Sequence, residues 1–294
     1  MFLPRGIVPP LVTPLTPDER VSEKGMRDLV EFCIKGGVHG VFVAGSTGEL
    51  QNMTREDLRD AVTYAVDQAK GRIPVYAGCT CAGTKEAIIR AQICEEAGAD
   101  VMLAITPYYA GVSQGEIYDH FMKIAKEVSL PFLVYNISAR TGMRVDTDVL
   151  GKLAGEEKIV GVKDSDGNMK LFIDYIEATE GKHFGVMTGI DALLFSSLIN
   201  GATGGIIASA NVAPQLGAAV YEKFMKGDIE GAKEAQKKIT KFTSVFRVGT
   251  FPQAMKEMLK LLGIDAGNGY SPIRPLAPEQ IEVLKGALKE LEMI

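Results

Sequence analysis

Lys163 closes the apolar run Ile159-Val160-Gly161-Val162 and is followed directly by Asp164. A lysine at the end of a buried strand points into a low dielectric, where the ammonium form is disfavoured and the neutral amine is a nucleophile able to condense with a carbonyl. Schiff-base chemistry is one reading of this residue. A structural lysine paired with Asp164 or Asp166 is the other. Tyr135 ends the preceding run, Phe132–Tyr135, and a phenol on the adjacent strand can orient the amine and shuttle the proton that imine formation requires.

Other polar residues follow apolar runs in the same way. Gly45-Ser46-Thr47-Gly48-Glu49 offers hydroxyls and backbone N–H groups suited to a small carboxylate, although an ordinary strand-to-helix turn has the same composition. It lacks the lysine and spacing of a P-loop. Arg140, in the loop Asn136–Gly142, can hold a second carboxylate bidentately or serve as a plain surface arginine. Thr106-Pro107-Tyr108-Tyr109 adds phenols. Metal-dependent chemistry would call for imidazole or carboxylate clusters, yet His120 falls inside a helical pattern and His39 and His183 precede strands. Cys79-Thr80-Cys81 lacks the second ligand pair of a zinc site and reads as semi-buried thiols. Gly201–Gly205 resembles a phosphate cradle but precedes its strand, so it reads as a turn.

Eight short apolar runs position these residues: Gly6–Val12, Val41–Ala44, Val75–Ala77, Val101–Ile105, Phe132–Tyr135, Ile159–Val162, Gly185–Met187 and Gly205–Ala208. Amphipathic segments of helical period separate them, with starts at Ser22, at Thr54 with Asp57 three later, and at Thr84. The alternation predicts an α/β fold, a (βα)8 TIM barrel, whose strand-end loops share one cavity. An open doubly wound sheet would place G-x-G-x-x-G after its first strand, and Pro9-Pro10 stands there instead. After Asn211 helical patterns follow one another: Gly217–Met225, Ile229–Val245, Gln253–Leu262 and Pro278–Leu291. Residues 1–225 are expected to form the catalytic barrel and 226–294 a C-terminal helical extension serving packing and oligomer contacts.

Composition bounds the partners. The 294 residues carry 32 basic and 37 acidic side chains, a net charge of −5 with no forced basic surface, so nucleic acid is not expected. No stretch of about 18 apolar residues is present, so no membrane association is expected. Four irregularly spaced cysteines and a Met1–Thr13 segment without a basic, long apolar leader fit an unexported protein of the reducing cytoplasm.

Together, G-S-T-G-E at 45–49, T-P-Y-Y at 106–109, Y-N-x-x-x-R-T-G at 135–142, G-V-K-D at 161–164 and G-I-D-A at 189–192 resemble the dihydrodipicolinate synthase / N-acetylneuraminate lyase family over the whole barrel. The resemblance implies class I chemistry on pyruvate without a cofactor or metal, in a homotetramer built as a dimer of dimers. It makes Lys163 the pyruvate-binding lysine, Tyr135 the general acid/base and Ser46 a proton relay. Tyr109 would complete that relay from the neighbouring subunit. Thr47 would donate to the pyruvate carboxylate, the backbone at Ile206 would contact pyruvate, and Gly189 would line the substrate site.

Arg140 resembles the synthase residue that grips the carboxylate of aspartate semialdehyde, and Ala192 stands where the lyases have an acidic residue. Lys163-Asp164-Ser165 resembles the sugar-acid aldolases instead, and Ser138 replaces a usual proline. Ala82 and Leu58 stand where a feedback-lysine site would have asparagine and histidine. The expected activity is 4-hydroxy-tetrahydrodipicolinate synthesis from pyruvate and L-aspartate 4-semialdehyde, a step of lysine and diaminopimelate biosynthesis. The alternatives are retro-aldol cleavage of a 2-keto-3-deoxy sugar acid or N-acetylneuraminate, and a non-catalytic keto-acid-binding barrel.

Overall fold

The predicted alternation is realised in the computed structural model, which describes residues 2–294. In chain order the strands and helices are β1 (Gly6–Ile7), α1 (Glu23–Lys35), β2 (Val41–Val43), α2 (Arg55–Ala69), β3 (Val75–Gly78), α3 (Thr84–Glu96), β4 (Val101–Ile105), α4 (Gln114–Lys126), β5 (Phe132–Asn136), α5 (Ser138–Thr141), α6 (Thr147–Leu153) and β6 (Ile159–Asp164). There follow α7 (Met169–Ala178), β7 (Gly185–Thr188), α8 (Leu194–Ile199), β8 (Gly204–Gly205), α9 (Pro214–Met225), α10 (Ile229–Phe242), α11 (Gln253–Leu261) and α12 (Pro278–Glu290).

All eight strands are parallel, in the order β1-β8-β7-β6-β5-β4-β3-β2. The ring closes where Pro10 bridges Phe42, with Leu11 N–H donating to the Phe42 carbonyl at 2.8 Å and Phe42 N–H to that of Pro9 at 2.9 Å. The first strand is shorter than the run Gly6–Val12 suggests, because Pro9 and Pro10 have no N–H for a ladder. The eighth is shorter too: the chain turns at Ala208 into a tight helical turn, Ala208–Asn211. By contrast β6 runs two residues beyond Val162 and includes Lys163 and Asp164.

Strand alternation sorts the core into two layers. Phe42, Leu103, Leu133, Tyr135, Met187 and Ile206 fill the barrel interior. Val43, Ala104, Phe132, Val134 and Val162 face the helices. Ser22 caps α1 through a 3.1 Å bond from Gly25 N–H, and Thr54 and Asp57 cap α2 reciprocally. Thr84 is not a cap: it lies one residue inside α3, and its hydroxyl meets His120 Nδ1 at 2.9 Å.

The C-terminal helices continue the outer layer, since Met255, Met258, Leu259, Leu284 and Leu288 belong to the same buried cluster as the strand residues facing α1 to α4. The periodic run 229–245 breaks after Phe242 into a tighter turn, Thr243–Arg247, which points that segment across the barrel mouth. No helix among the described residues is long and apolar enough to cross a membrane.

Candidate active site

Tyr135 on β5 and Lys163 on β6 are register partners, so the pleat sends both side chains to the same face, the barrel interior. Lys163 Nζ lies 4.0 Å from the centroid of the Tyr135 ring and 5.3 Å from that of Phe42. Both residues are buried, at 3% and 4% exposure. The structural alternative for this lysine is overturned by the same alternation. Asp164 points outward, and its carboxylate accepts a 2.7 Å hydrogen bond from Asn136 Nδ2. The Asp166 carboxylate accepts from the Ser138 hydroxyl. With both carboxylates committed elsewhere, Lys163 keeps a buried amine facing two aromatic rings.

A cavity of about 650 Å³ at the C-terminal mouth of the barrel brings Lys163 and Tyr135 together with Ser46, Thr47, Gly189, Ile206 and Arg140. Gly189 is required by close approach: a Cβ there would run into the Ser165 hydroxyl and stand 3.0 Å from Lys163 Cε. Ile206 donates its N–H to the Thr188 carbonyl at 2.8 Å, so its own carbonyl is the backbone group left to face a ligand. Arg140, on the single turn α5, is exposed, with its guanidinium 5.4 Å over the Phe251 ring.

Of the expected site residues only Tyr109 is absent from this cavity. It is fully exposed, at 101%, with a left-handed φ of 76°. Beside the main cavity lies a second of about 220 Å³, lined by Ser46, Tyr135, Arg140, Gln51 and Tyr108 among others. His39 and His183 lie with Phe2 and Tyr76 around a different cavity from the one that holds Lys163. Among the described residues no three His, Cys, Asp or Glu side chains cluster as metal ligands do.

Several lining residues escaped the sequence reading. Ser165 follows the lysine by two positions and shares its face, a period-2 signal that was available. Arg247 and Phe251 come from the C-terminal extension, for which only packing and oligomer contacts were expected. No local pattern foretells that a segment so far beyond Lys163 in the chain folds back over its cavity. Asp191 also lines the mouth, but its carboxylate is engaged by Ser209 N–H at 2.7 Å and Ala208 N–H at 3.3 Å, fastening the turn after β8.

Burial pushes the Tyr135 phenol up, but the charge of Lys163 and hydrogen bonds with Ser165, Lys163 and Ser46 outweigh it. The net direction is downward, toward a phenol that gives up its proton more readily than a free tyrosine. Behind the strand, burial raises the Asp164 carboxyl to about 6 against the Asn136 hydrogen bond, and burial lowers His120 to about 4. The site thus holds an amine, an activated phenol, hydroxyls and an open guanidinium in one pocket, the set needed to bind a 2-oxo acid covalently and move protons around it.

Comparison with known proteins agrees with this arrangement. The sequence model of the dihydrodipicolinate synthetase family matches residues 3–291. A 4-hydroxy-tetrahydrodipicolinate synthase of Methanopyrus kandleri is 34% identical over 295 residues, covering 100% of this chain and 98% of the relative. One from Archaeoglobus fulgidus is 35% identical over 289 residues, covering 98% and 99%. Among solved structures, a prophage protein of the dihydrodipicolinic acid synthase family from E. coli, in complex with pyruvate, superposes with a TM-score of 0.95 at 30% identity over the full length of both chains. The dihydrodipicolinate synthase of Aquifex aeolicus gives 0.93 at 31% identity, covering 98% of each.

Proposed function

The chain belongs to the dihydrodipicolinate synthetase family, and from that premise we propose that it is a 4-hydroxy-tetrahydrodipicolinate synthase, a carbon–carbon lyase that condenses pyruvate with L-aspartate 4-semialdehyde through a Schiff base on Lys163. The observation that carries the reading is the buried Lys163–Tyr135 pair, free of carboxylates, at the mouth of a parallel barrel.

The amine of Lys163, once it has given up its proton, attacks the pyruvate ketone, and Tyr135 returns a proton to the departing oxygen so that water leaves and the imine forms. Ser46, against the phenol, passes the proton onward, Thr47 donates to the carboxylate end of the substrate, and the Ile206 backbone lines the wall beside it. Loss of a methyl proton gives the enamine, whose carbon attacks the aldehyde; the aldehyde oxygen takes up the proton. The substrate's own amino group then displaces Lys163 from the imine, closing a ring and freeing the enzyme. Arg140 grips the second carboxylate. Holding both reactants in one cavity supplies up to about 7–11 kcal/mol of the barrier in well-oriented cases.

The exposed Tyr109 supports an assembly in which it reaches the site of a neighbouring copy, in the dimer of a homotetramer. Leu58, fully buried in α2, gives no support to lysine feedback. A cytoplasmic enzyme of lysine and diaminopimelate biosynthesis is the corresponding setting. A second reading, retro-aldol cleavage of a 2-keto-3-deoxy sugar acid, is favoured by the run Lys163-Asp164-Ser165, which resembles the sugar-acid aldolases and places the Ser165 hydroxyl in the cavity beside the Tyr135 phenol. Borohydride reduction in the presence of pyruvate is expected to label Lys163 irreversibly, and absence of the adduct overturns both enzyme readings. Pyruvate consumption with aspartate semialdehyde, compared with pyruvate release from keto-deoxy sugar acids, separates the two.

A further inference from the structure

Glu49 closes the turn that carries Ser46 and Thr47, and it is 1% exposed. Its backbone is left-handed, with φ 60° and ψ 34°, a conformation a non-glycine residue keeps only when its surroundings hold it there. The holders come from the C-terminal extension. Lys256 of α11, itself 0% exposed, places Nζ 2.8 Å from Glu49 Oε1. Tyr270 N–H donates to Glu49 Oε2 at 2.9 Å.

The contact is built in depth. Lys256 Nζ also donates to the Asn268 carbonyl at 2.7 Å, while Gln253 bonds the Asn268 side chain at 3.0 Å and Gly269 N–H at 2.8 Å. On its other side the turn is held by the Thr13 hydroxyl, which donates to the Gly48 carbonyl at 2.7 Å. A buried ion pair is a poor way to gain stability, because desolvating two charges offsets their attraction, and an apolar pair of similar volume often serves as well. A directed contact does something an apolar one cannot: it fixes one orientation of the turn.

We propose that the Glu49–Lys256 ion pair is a positioning device for the reaction, through which the C-terminal extension sets the Ser46–Thr47 turn that grips the pyruvate carboxylate. The proposal rests on the reading that Ser46 and Thr47 meet pyruvate. Glu49 and Lys256 touch no substrate; they act through the turn.

The test compares wild type with the double variant Glu49→Gln, Lys256→Met, which removes both charges but keeps an acceptor for Tyr270 N–H, and with Glu49→Asp, which keeps the charge and shortens the reach. Melting temperature, both Michaelis constants and the rate of borohydride-trapped adduct formation are read for each. Both variants are expected to fold, with the pyruvate KM raised at least tenfold, adduct formation slowed to match, and the aldehyde KM changed less than twofold. A folded double variant with wild-type pyruvate KM, or equal changes for both substrates, overturns the proposal while wild-type trapping leaves the Schiff-base reading intact. Absence of trapping in the wild type removes that reading and this proposal with it.

Discussion

Lys163 and Tyr135 face each other across neighbouring strands, the amine 4.0 Å from the centre of the phenol ring, because residue 163 of β6 is in register with residue 135 of β5. Their facing is therefore set by backbone pairing rather than by a loop, so the pair shifts only when one of the two residues, or a residue packed directly against them, is changed.

Lys163→Ala is expected to abolish the pyruvate adduct and lower kcat by at least about 10³-fold, the order seen when a covalent nucleophile is removed. Lys163→Arg should do the same, since a guanidinium does not surrender its proton at working pH. Mass spectrometry after borohydride treatment reads both, and an adduct on either protein contradicts the assignment.

Tyr135→Phe should cost about 10²–10⁴-fold in kcat, the usual contribution of a positioned acid/base. The wild-type phenol sits below the ordinary tyrosine value because of Lys163 and the Ser165 and Ser46 hydroxyls. Ser165→Ala removes one hydrogen bond to the phenolate, so the alkaline limb of the kcat/KM profile assigned to Tyr135 should move to higher pH. A shift to lower pH would count against that assignment.

Gly189→Ala pushes a methyl group into the Ser165 hydroxyl and against Lys163 Cε. The protein is expected to fold, since the site opens on the cavity, but to form the pyruvate adduct at least about tenfold more slowly because the amine is displaced from the phenol. Single-turnover trapping measures it; unchanged kinetics would mean that the lysine does not need the position seen here.

Two buried groups act oppositely on acid stability. Asp164, raised to about 6, is protonated when folded and ionised when unfolded between its ordinary value of 3.8 and about 6, so its contribution is lost as pH rises through that window. His120, lowered to about 4, is neutral when folded but charged when unfolded between about 4 and its ordinary 6.5, so its contribution is lost as pH falls. Asp164→Asn should therefore steepen the loss of Tm between pH 6 and pH 4, and His120→Leu should flatten it. Thermal melts across that range decide the matter, with the reverse order disproving it.

Tyr109→Phe should leave the fold of the protomer unchanged by circular dichroism, because the ring packs against nothing in its own chain, yet reduce kcat by about tenfold or more if the phenol works in a neighbouring site. Mixing Tyr109→Phe with Lys163→Ala chains is expected to restore activity, as each hybrid pair then has one site with an intact lysine and a partner's intact tyrosine. Failure of complementation, with exchange of chains demonstrated, argues against action in trans.

Much of the architecture was legible in the amino-acid order. Eight apolar runs spaced by amphipathic segments foretold the barrel, and Lys163, Tyr135, Ser46, Thr47 and Arg140 were recognisable as polar groups at strand ends, where a parallel barrel collects them. Strand ends were less legible: the prolines at 9 and 10 cut the first ladder short, and the hydrogen bonds that extend β6 through Lys163 depend on what lies beside it.

Residue identity by itself determined that this chain alternates strands with helices and carries a nucleophilic amine and a phenol at the ends of adjacent strands, because periodicity and side-chain type are local properties. Only the tertiary structure decided that Asp164 and Asp166 leave Lys163 unpaired, and that Lys256, Arg247 and Phe251 fold back onto the mouth of the barrel. Those outcomes turn on which face of a strand each side chain takes and on contacts between segments far apart in the chain, and neither is encoded in any single stretch of residues.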